Sequence, residues 1–265
     1  MKIYYKIDDF LDARSKLNSK KIILVPTMGS IHEGHISLIN KAKSYADIVI
    51  VTIFINPIQF NSSIDYDSYP RSIEEDKKTL EKNGVDILFC PSTPEIYPEK
   101  FQTSVNVRLF SEVLEGKFRK GHMEGVATIV TKLFNLVRPD FAIFGEKDFQ
   151  QLAVIRQMVR DLDIDIGIIA HPTIREADGL ALSSRNQYLT TSQRRLAPKL
   201  YAQMQHTIAL INNGTDITAA IDEAKDQLQK AGFGKIDYFD LRQPDDFQPC
   251  DKPTATSRVF VALWL

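Results

Sequence analysis

The stretch IILVPTMGSIHEGHISLI, Ile22 to Ile39, reads as a buried strand, a glycine-bearing turn and an entering helix. Ile22 to Val25 is continuously apolar rather than alternating, which marks a strand covered on both faces. Gly29 and Gly34 permit close backbone approach, and a helix beginning near His35 carries Ile36 and Ile39 on one face. Four further runs of this kind follow: Ile48 to Ile55, Val85 to Cys90, Phe141 to Gly145 and Ile164 to Ala170. Helical patterns fall between them. The segment SIEEDKKTLEKNG ends on Gly84 as a C-cap, and Leu152, Ile155, Val159 and Leu162 form one stripe. Strand, helix and strand in repetition imply an α/β fold with a doubly wound, Rossmann-like parallel sheet.

The pattern changes after Pro172. Two helical stretches, Ser192 to Ile211 and Ile217 to Ala231, precede the strand-like IDYFDLR and SRVFVALWL, separated by a polar loop. We expect a first domain over 1–173 and a smaller α+β domain over 174–265. The 265 residues include 33 basic and 34 acidic side chains, so no overall field favours nucleic acid or an anionic membrane. Small molecules are the expected partners. With only Cys90 and Cys250, neither a zinc cluster nor a disulfide framework is expected, and a reducing cytoplasm fits. The longest apolar run, IVIVTIFI, is far too short for a membrane span, and the N-terminus has no apolar targeting core.

Ligands of open parallel sheets bind outside the carboxyl ends of the strands, and PTMGSIHEGH lies at such an end. A helix starting there offers its positive dipole end to an anion, and imidazoles at His32 and His35 can donate to phosphoryl oxygens. A zincin needs histidines four apart on one helical face. Here the spacing is three with a glycine between, so zinc is not expected. Taken alone, so short a pattern as HxGH arises by chance and favours the plainer reading, two rings that only satisfy local backbone groups. FGEKDFQQL repeats the arrangement at a second strand end, with Gly145 at the turn, Lys147 as a point charge for a phosphate and Asp148 placed to cap the next helix. READGLALSSRNQYL adds Ser183, Ser184 and Arg185 in a loop, as donors that can close over a triphosphate. Three readings meet these residues: an adenylate-forming ligase, a nucleotidyltransferase that stops at a nucleotide-linked product, and a nucleotide-binding regulatory module.

In order and separation, PTMGSIHEGH, FINPIQF, YPRSIEED, FGEKDFQQLAVIRQM and READGLALSSRNQYL resemble the pantothenate synthetase family of the HxGH nucleotidyltransferase-like group. The resemblance implies ATP-dependent ligation of pantoate and β-alanine to pantothenate, with AMP and pyrophosphate released through a pantoyl adenylate, and it implies Mg²⁺ and a homodimer. It assigns Pro26, Thr27, Met28, Gly29, His32 and His35 to a first ATP segment, with His35 where the family has its proton donor and Met28 near pantoate. Gly145, Glu146, Lys147 and Asp148 resemble the second ATP segment. Ile174 matches a position on the adenine side, and Leu182, Ser183, Ser184 and Arg185 match a mobile phosphate-binding loop, with leucine where methionine is common. His32, His35, Lys147, Ser183, Ser184 and Arg185 are the implied catalytic set. Gln59 and Gln151 match the pantoate-binding glutamines, Gln59 also serving β-alanine, while Asn56, Tyr69, Arg119 and His122 match residues lining the substrate site. Glu75 and Asp76 fall where the family places acidic residues near Mg²⁺.

Overall fold

A computed structural model describes residues 1–265. The chain divides into two compact units, Met1–Ser111 with Arg119–Ile174, and Glu112–Phe118 with Arg175–Leu265. In the first unit six strands, β1 (Lys2–Tyr4), β2 (Ile22–Thr27), β3 (Ile48–Ile53), β4 (Ile87–Phe89), β5 (Phe141–Gly145) and β6 (Gly167–His171), form one sheet in the order β1-β4-β3-β2-β5-β6. Every pairing in it is parallel. Its longer helices are α1 (Ile7–Ser15), α2 (Glu33–Ala42), α3 (Ile73–Lys82), α4 (His122–Val137) and α5 (Phe149–Asp161).

The continuous apolar runs are buried as their pattern requires. Ile23, Val25, Val49, Val51 and Ile53 point to one face, where Ile36, Ile39 and Ala42 of α2 and Leu80 of α3 cover them. Ile22, Leu24 and Ile50 are as fully buried and point to the opposite face, since side chains alternate along a strand. Each such side chain contributes roughly 1.5–3 kcal/mol by leaving water. At the amino end of β2, Asp140 fixes the register: its Oδ2 accepts the Ile22 N–H at 2.6 Å and its own N–H donates to the Ile22 carbonyl at 2.9 Å. Asn83 ends α3, and Gly84 follows it at φ 66°, a conformation glycine adopts without a Cβ penalty.

Several elements depart from the expectations. Helix α2 starts at Glu33, two residues before His35, with His32 as its N-cap. Ile164 and Ile166 belong to the turn that ends α5, where Asp163 has φ 50° and the Ile164 N–H returns to the Val159 carbonyl, so β6 begins only at Gly167. The buried face of α5 carries Leu152, Val154, Ile155 and Met158, whereas Leu162 lies beyond the helix and is 51% exposed. Two elements are additional: the edge strand β1 and helix α4. Eleven of the sixteen residues of α4 are buried, and its narrow polar stripe of Glu124, Thr131, Lys132 and Asn135, at helical spacing, is the signal that marks it in the sequence.

The second unit contains a short helix Thr191–Leu196, then α6 (Pro198–Asn212), α7 (Ile217–Ala231) and the antiparallel pair β7 (Ile236–Arg242) and β8 (Arg258–Leu263). The single helical stretch expected up to Ile211 is divided at Ala197, because Pro198 cannot continue the preceding turn's hydrogen bonds. Leu200, Met204, Ala224, Leu228, Phe239 and Val261 form its core. The segment Glu112–Phe118 joins this unit, with the Phe118 ring 5.8 Å from that of Tyr238. No helix of the chain is long and apolar enough to cross a membrane.

Candidate active site

From β2 the chain steps outward through β3 to β4, and later returns to lay β5 against the other side of β2, pairing Ile23 with Phe141 and Leu24 with Ala142. The winding reverses between β2 and β5. The crevice outside the carboxyl ends of these two strands is the topological switch point, where ligands of doubly wound sheets bind. The turn Met28–His32 leaves β2 there, and the turn Glu146–Asp148 leaves β5 beside it.

The first turn is tied down from below. Thr27 Oγ1 donates to the Thr52 carbonyl at 2.8 Å and accepts the Gly29 N–H at 3.2 Å, joining the end of β2 to β3. Gly29 and Ser30 both have left-handed backbones, at φ 84° and 51°. A Cβ at Gly29 would lie 3.1 Å from both Asp76 Oδ2 and Ile53 Cγ2, so glycine is needed for conformation and for space. Asp76, on α3 and only 3% exposed, holds the turn with both carboxylate oxygens. Oδ2 accepts the Ser30 N–H at 2.8 Å, while Oδ1 accepts the Ile31 N–H at 2.7 Å and the Ser72 hydroxyl at 3.2 Å. The Asp76 oxygens face backbone amides, Glu75 is exposed, and no group of three or more His, Cys, Asp or Glu residues could hold a metal ion, so the structure gathers no full ligand set around the pair expected near Mg²⁺. The side chains present do not form a magnesium cage.

His32 and His35 stack with ring centroids 4.0 Å apart. His32 Nδ1 accepts the Gly34 N–H at 3.1 Å, and His35 Nδ1 accepts the His32 N–H at 3.3 Å. A backbone N–H can only donate, so in each neutral ring the proton sits on Nε2, leaving that atom as a donor. Burial, the His32 ring and the Lys147 charge push His35 down to about 3, and burial with Lys147 also lowers His32. Both imidazoles are therefore neutral donors at pH 7, at the positive end of the α2 dipole. Lys147 lies in the Glu146–Asp148 turn, partly exposed, with Nζ 3.5 Å from Asp148 Oδ1. Asp148 occupies the N-cap position of α5, but its carboxylate does not cap the helix, contrary to expectation. At the neighbouring strand end, Ser37 Oγ of α2 lies 2.6 Å from His171 Nε2 of β6.

A second cluster surrounds Gln59. Its Nε2 lies 3.2 Å from Met28 Sδ, its Oε1 accepts from Asn56 Nδ2 at 3.0 Å, and its backbone carbonyl accepts from His122 Nδ1 at 2.7 Å and from Arg119 at 3.5 Å. Met28, Asn56, Gln59, Arg119 and His122 are thus brought together with the first turn.

A profile of the family described as pantoate-beta-alanine ligase matches residues 2–265. The chain belongs to the pantoate-beta-alanine ligase family. A pantothenate synthetase of Caldicellulosiruptor saccharolyticus is 47% identical over 266 positions, covering 99% of this chain and 94% of the relative. One from Pseudomonas putida is 51% identical over 240 positions, covering 89% and 83%. Among solved structures, a pantothenate synthetase from Thermus thermophilus superimposes with a TM-score of 0.94 at 39% identity, covering 99% of this chain and 95% of that one. The pantoate-beta-alanine ligase of Francisella tularensis, complexed with beta-gamma ATP and beta-alanine, gives 0.85 at 38% identity, covering 100% and 93%.

The remaining expected residues have neighbours of their own. Tyr69 is buried edge-on against Phe60, with centroids 5.6 Å apart. Gln151 is half-buried in the first turn of α5, beside Gln150, whose Nε2 donates to the Phe110 carbonyl at 2.6 Å. Ile174 is the last residue of the first unit. In the second unit, Leu182 precedes a short turn, Ser184–Tyr188, at whose start Ser183 Oγ accepts the Arg185 N–H at 3.3 Å. The preceding loop is tied rather than open: Arg175 pairs with Ala181 across Gly179, and Arg194 bonds both Glu176 and Asp178 at 2.6 Å. The sequence reading passed over Tyr97, Gly125, Ser37 and His171, and no local pattern marks them.

Proposed function

We propose that this chain ligates pantoate to β-alanine in two steps on ATP. The pantoate carboxylate attacks the α-phosphorus, the bond to the β-phosphate oxygen breaks, and pyrophosphate leaves. The β-alanine amine then attacks the adenylate carbonyl, loses a proton and displaces AMP. The observation that carries this reading is the pair of neutral imidazoles whose Nδ1 atoms serve the α2 backbone, leaving two Nε2–H donors beside Lys147 at the switch point. Donors held in place by the fold stabilise charge growing on phosphoryl oxygens without reorganising. In the free chain His35 is a neutral ring that offers a hydrogen-bond donor, since burial, the His32 ring and Lys147 hold its pKa down to about 3.

Gln59 and Gln151 are proposed to orient pantoate. A neutral amide positions a nucleophilic carboxylate with less ground-state stabilisation than a bidentate guanidinium. Ser183, Ser184 and Arg185 are proposed as further phosphate donors, with Ile174 and Leu182 beside the nucleotide. The family resemblance implies Mg²⁺, which would supply charge neutralisation to the ATP phosphates when bound, with Glu75 and Asp76 as the nearest expected carboxylates. A cytoplasmic location agrees with two free cysteines, and a homodimer follows from the family resemblance. The domain division is proposed near 173–174.

The test is isotope exchange between ATP and pyrophosphate. Exchange should require pantoate and Mg²⁺ but not β-alanine, because the adenylate forms before the amine is consumed. Exchange that depends on β-alanine overturns the two-step order, and a nucleotide-linked end product that β-alanine leaves untouched overturns the ligase reading.

A further inference from the structure

We infer that Tyr97 is a positioning residue that holds Asn56, and through it the Gln59 amide, in the orientation that the Gly125 carbonyl dictates. The geometry settles the polarity without reference to how any amide was oriented. One terminal atom of Asn56 lies 3.0 Å from the Gly125 carbonyl and 3.0 Å from the Gln59 side-chain terminus. A carbonyl oxygen only accepts, so that atom of Asn56 is nitrogen, and its two hydrogens serve Gly125 O and Gln59. The Gln59 atom meeting it must therefore be oxygen. Gln59 is left with its NH₂ on the other side, next to Met28 of the first turn. Oδ1 of Asn56 then faces the Tyr97 hydroxyl at 2.8 Å, which closes the chain as Tyr97 O–H to Asn56, Asn56 N–H to Gln59, and Gln59 N–H outward.

Tyr97 suits the role of a fixed donor. Its ring is packed by Phe54 and Phe101, with centroids 5.9 and 4.9 Å away. Burial raises its phenol well above the ordinary value, so the hydroxyl keeps its proton at any working pH. The anchoring carbonyl is equally fixed. A Cβ at Gly125 would come within 2.7 Å of the Ile58 carbonyl and 2.9 Å of the Gln59 backbone, so the absence of a side chain lets α4 reach the turn that carries Gln59. An amide presented nitrogen-first recognises oxygen acceptors, namely the carboxylates and hydroxyls of the two acid substrates.

This inference rests on the proposed ligase reaction, and the test separates the two. The parent chain is assayed first for AMP release from ATP, pantoate and β-alanine; silence there defeats the reaction. In an active parent, Tyr97→Phe removes the donor to Asn56 Oδ1, so Asn56 and the Gln59 amide that it orients are held less firmly, while the Gly125 carbonyl still sets their polarity. The KM for the acid substrates should rise about five- to tenfold, the scale of one lost hydrogen bond, with the KM for ATP unchanged. Equal rises in all three KM values, or none, overturn the relay. Gln59→Glu supplies an arm that does not depend on how Tyr97→Phe folds. It places an oxygen where the relay puts nitrogen, so it should weaken pantoate binding by calorimetry at least tenfold, and parent-like affinity overturns the assigned polarity.

Discussion

Replacing Asp76 by asparagine tests the device that shapes the first turn. The carboxylate takes the Ser30 and Ile31 amides on separate oxygens, at 2.8 and 2.7 Å. Asparagine keeps one acceptor and turns an NH₂ toward the other amide, so a buried donor loses its partner and meets a second donor. A hydrogen bond to a charged group is worth roughly 1.5–3 kcal/mol, and a stranded buried donor costs about 1–3. These overlap, giving an expected loss of about 3 kcal/mol, or about 6–12 °C in the unfolding midpoint for a chain of this size. Turnover should fall about a hundredfold, because the turn carries both histidines and a displacement of roughly 1 Å is costly to a positioned reaction. The assay pairs thermal unfolding with pyrophosphate release as Mg²⁺ is titrated. If the variant keeps the parent's midpoint and shows only a large rise in the Mg²⁺ needed for half-maximal rate, Asp76 is a metal ligand and the clamp argument is wrong.

Further expectations concern the donors and the packing. His35→Ala and Lys147→Ala should each lower turnover about 10²- to 10³-fold with unchanged circular dichroism, the scale for losing a preorganised donor; near-parent turnover would remove that residue from the site. Because the folded His35 value, about 3, lies below the ordinary 6.5, the unfolded chain binds a proton first as pH falls. Its contribution to stability is therefore complete above about pH 6.5 and declines from there down to about pH 3, and ring NMR of the free protein should show His35 neutral at pH 5. A protonated ring at that pH contradicts the buried-donor picture. Gly125→Ala forces a Cβ against the Ile58–Gln59 backbone, which cannot rotate away, so it should cost about 1–3 kcal/mol and raise the KM for the acid substrates more than that for ATP; a neutral variant would mean that α4 can retreat.

The strands were legible where burial on both faces imposes a continuous apolar run, as in Ile22 to Val25 and Ile48 to Ile53. Where that condition fails, so did the reading. Strand β1 is three residues on an edge, half-exposed and indistinguishable from a polar terminus. Helix α4 does present a narrow polar stripe, Glu124, Thr131, Lys132 and Asn135, which the reading passed over between two strand runs. The histidines and Lys147 were legible because both lie at glycine-bearing strand ends. Their supports were not, since Asp76 acts on amides 45 and 46 positions away and Tyr97 acts on Asn56 across 41. A side chain bonded to distant backbone leaves no periodic trace in its own neighbourhood. The same distance hides the clamp role of Asp76, because in sequence an acidic residue near a phosphate site looks identical whether it faces a cation or an amide.

The reversal of winding at β2 also bears on how the chain acquires its structure during synthesis. The two edges of β2 are completed at very different times: β3 follows within a few dozen residues, whereas the segment that covers the other edge is Phe141–Gly145. Until it emerges from the ribosome, Ile22 to Val25 exposes a row of unpaired amides and carbonyls on a flat apolar strand, the template on which chains pair wrongly. Asp140 arrives just ahead of that segment and takes the Ile22 amide and carbonyl. In the folded chain these bonds fix the alignment of the edge that β5 covers.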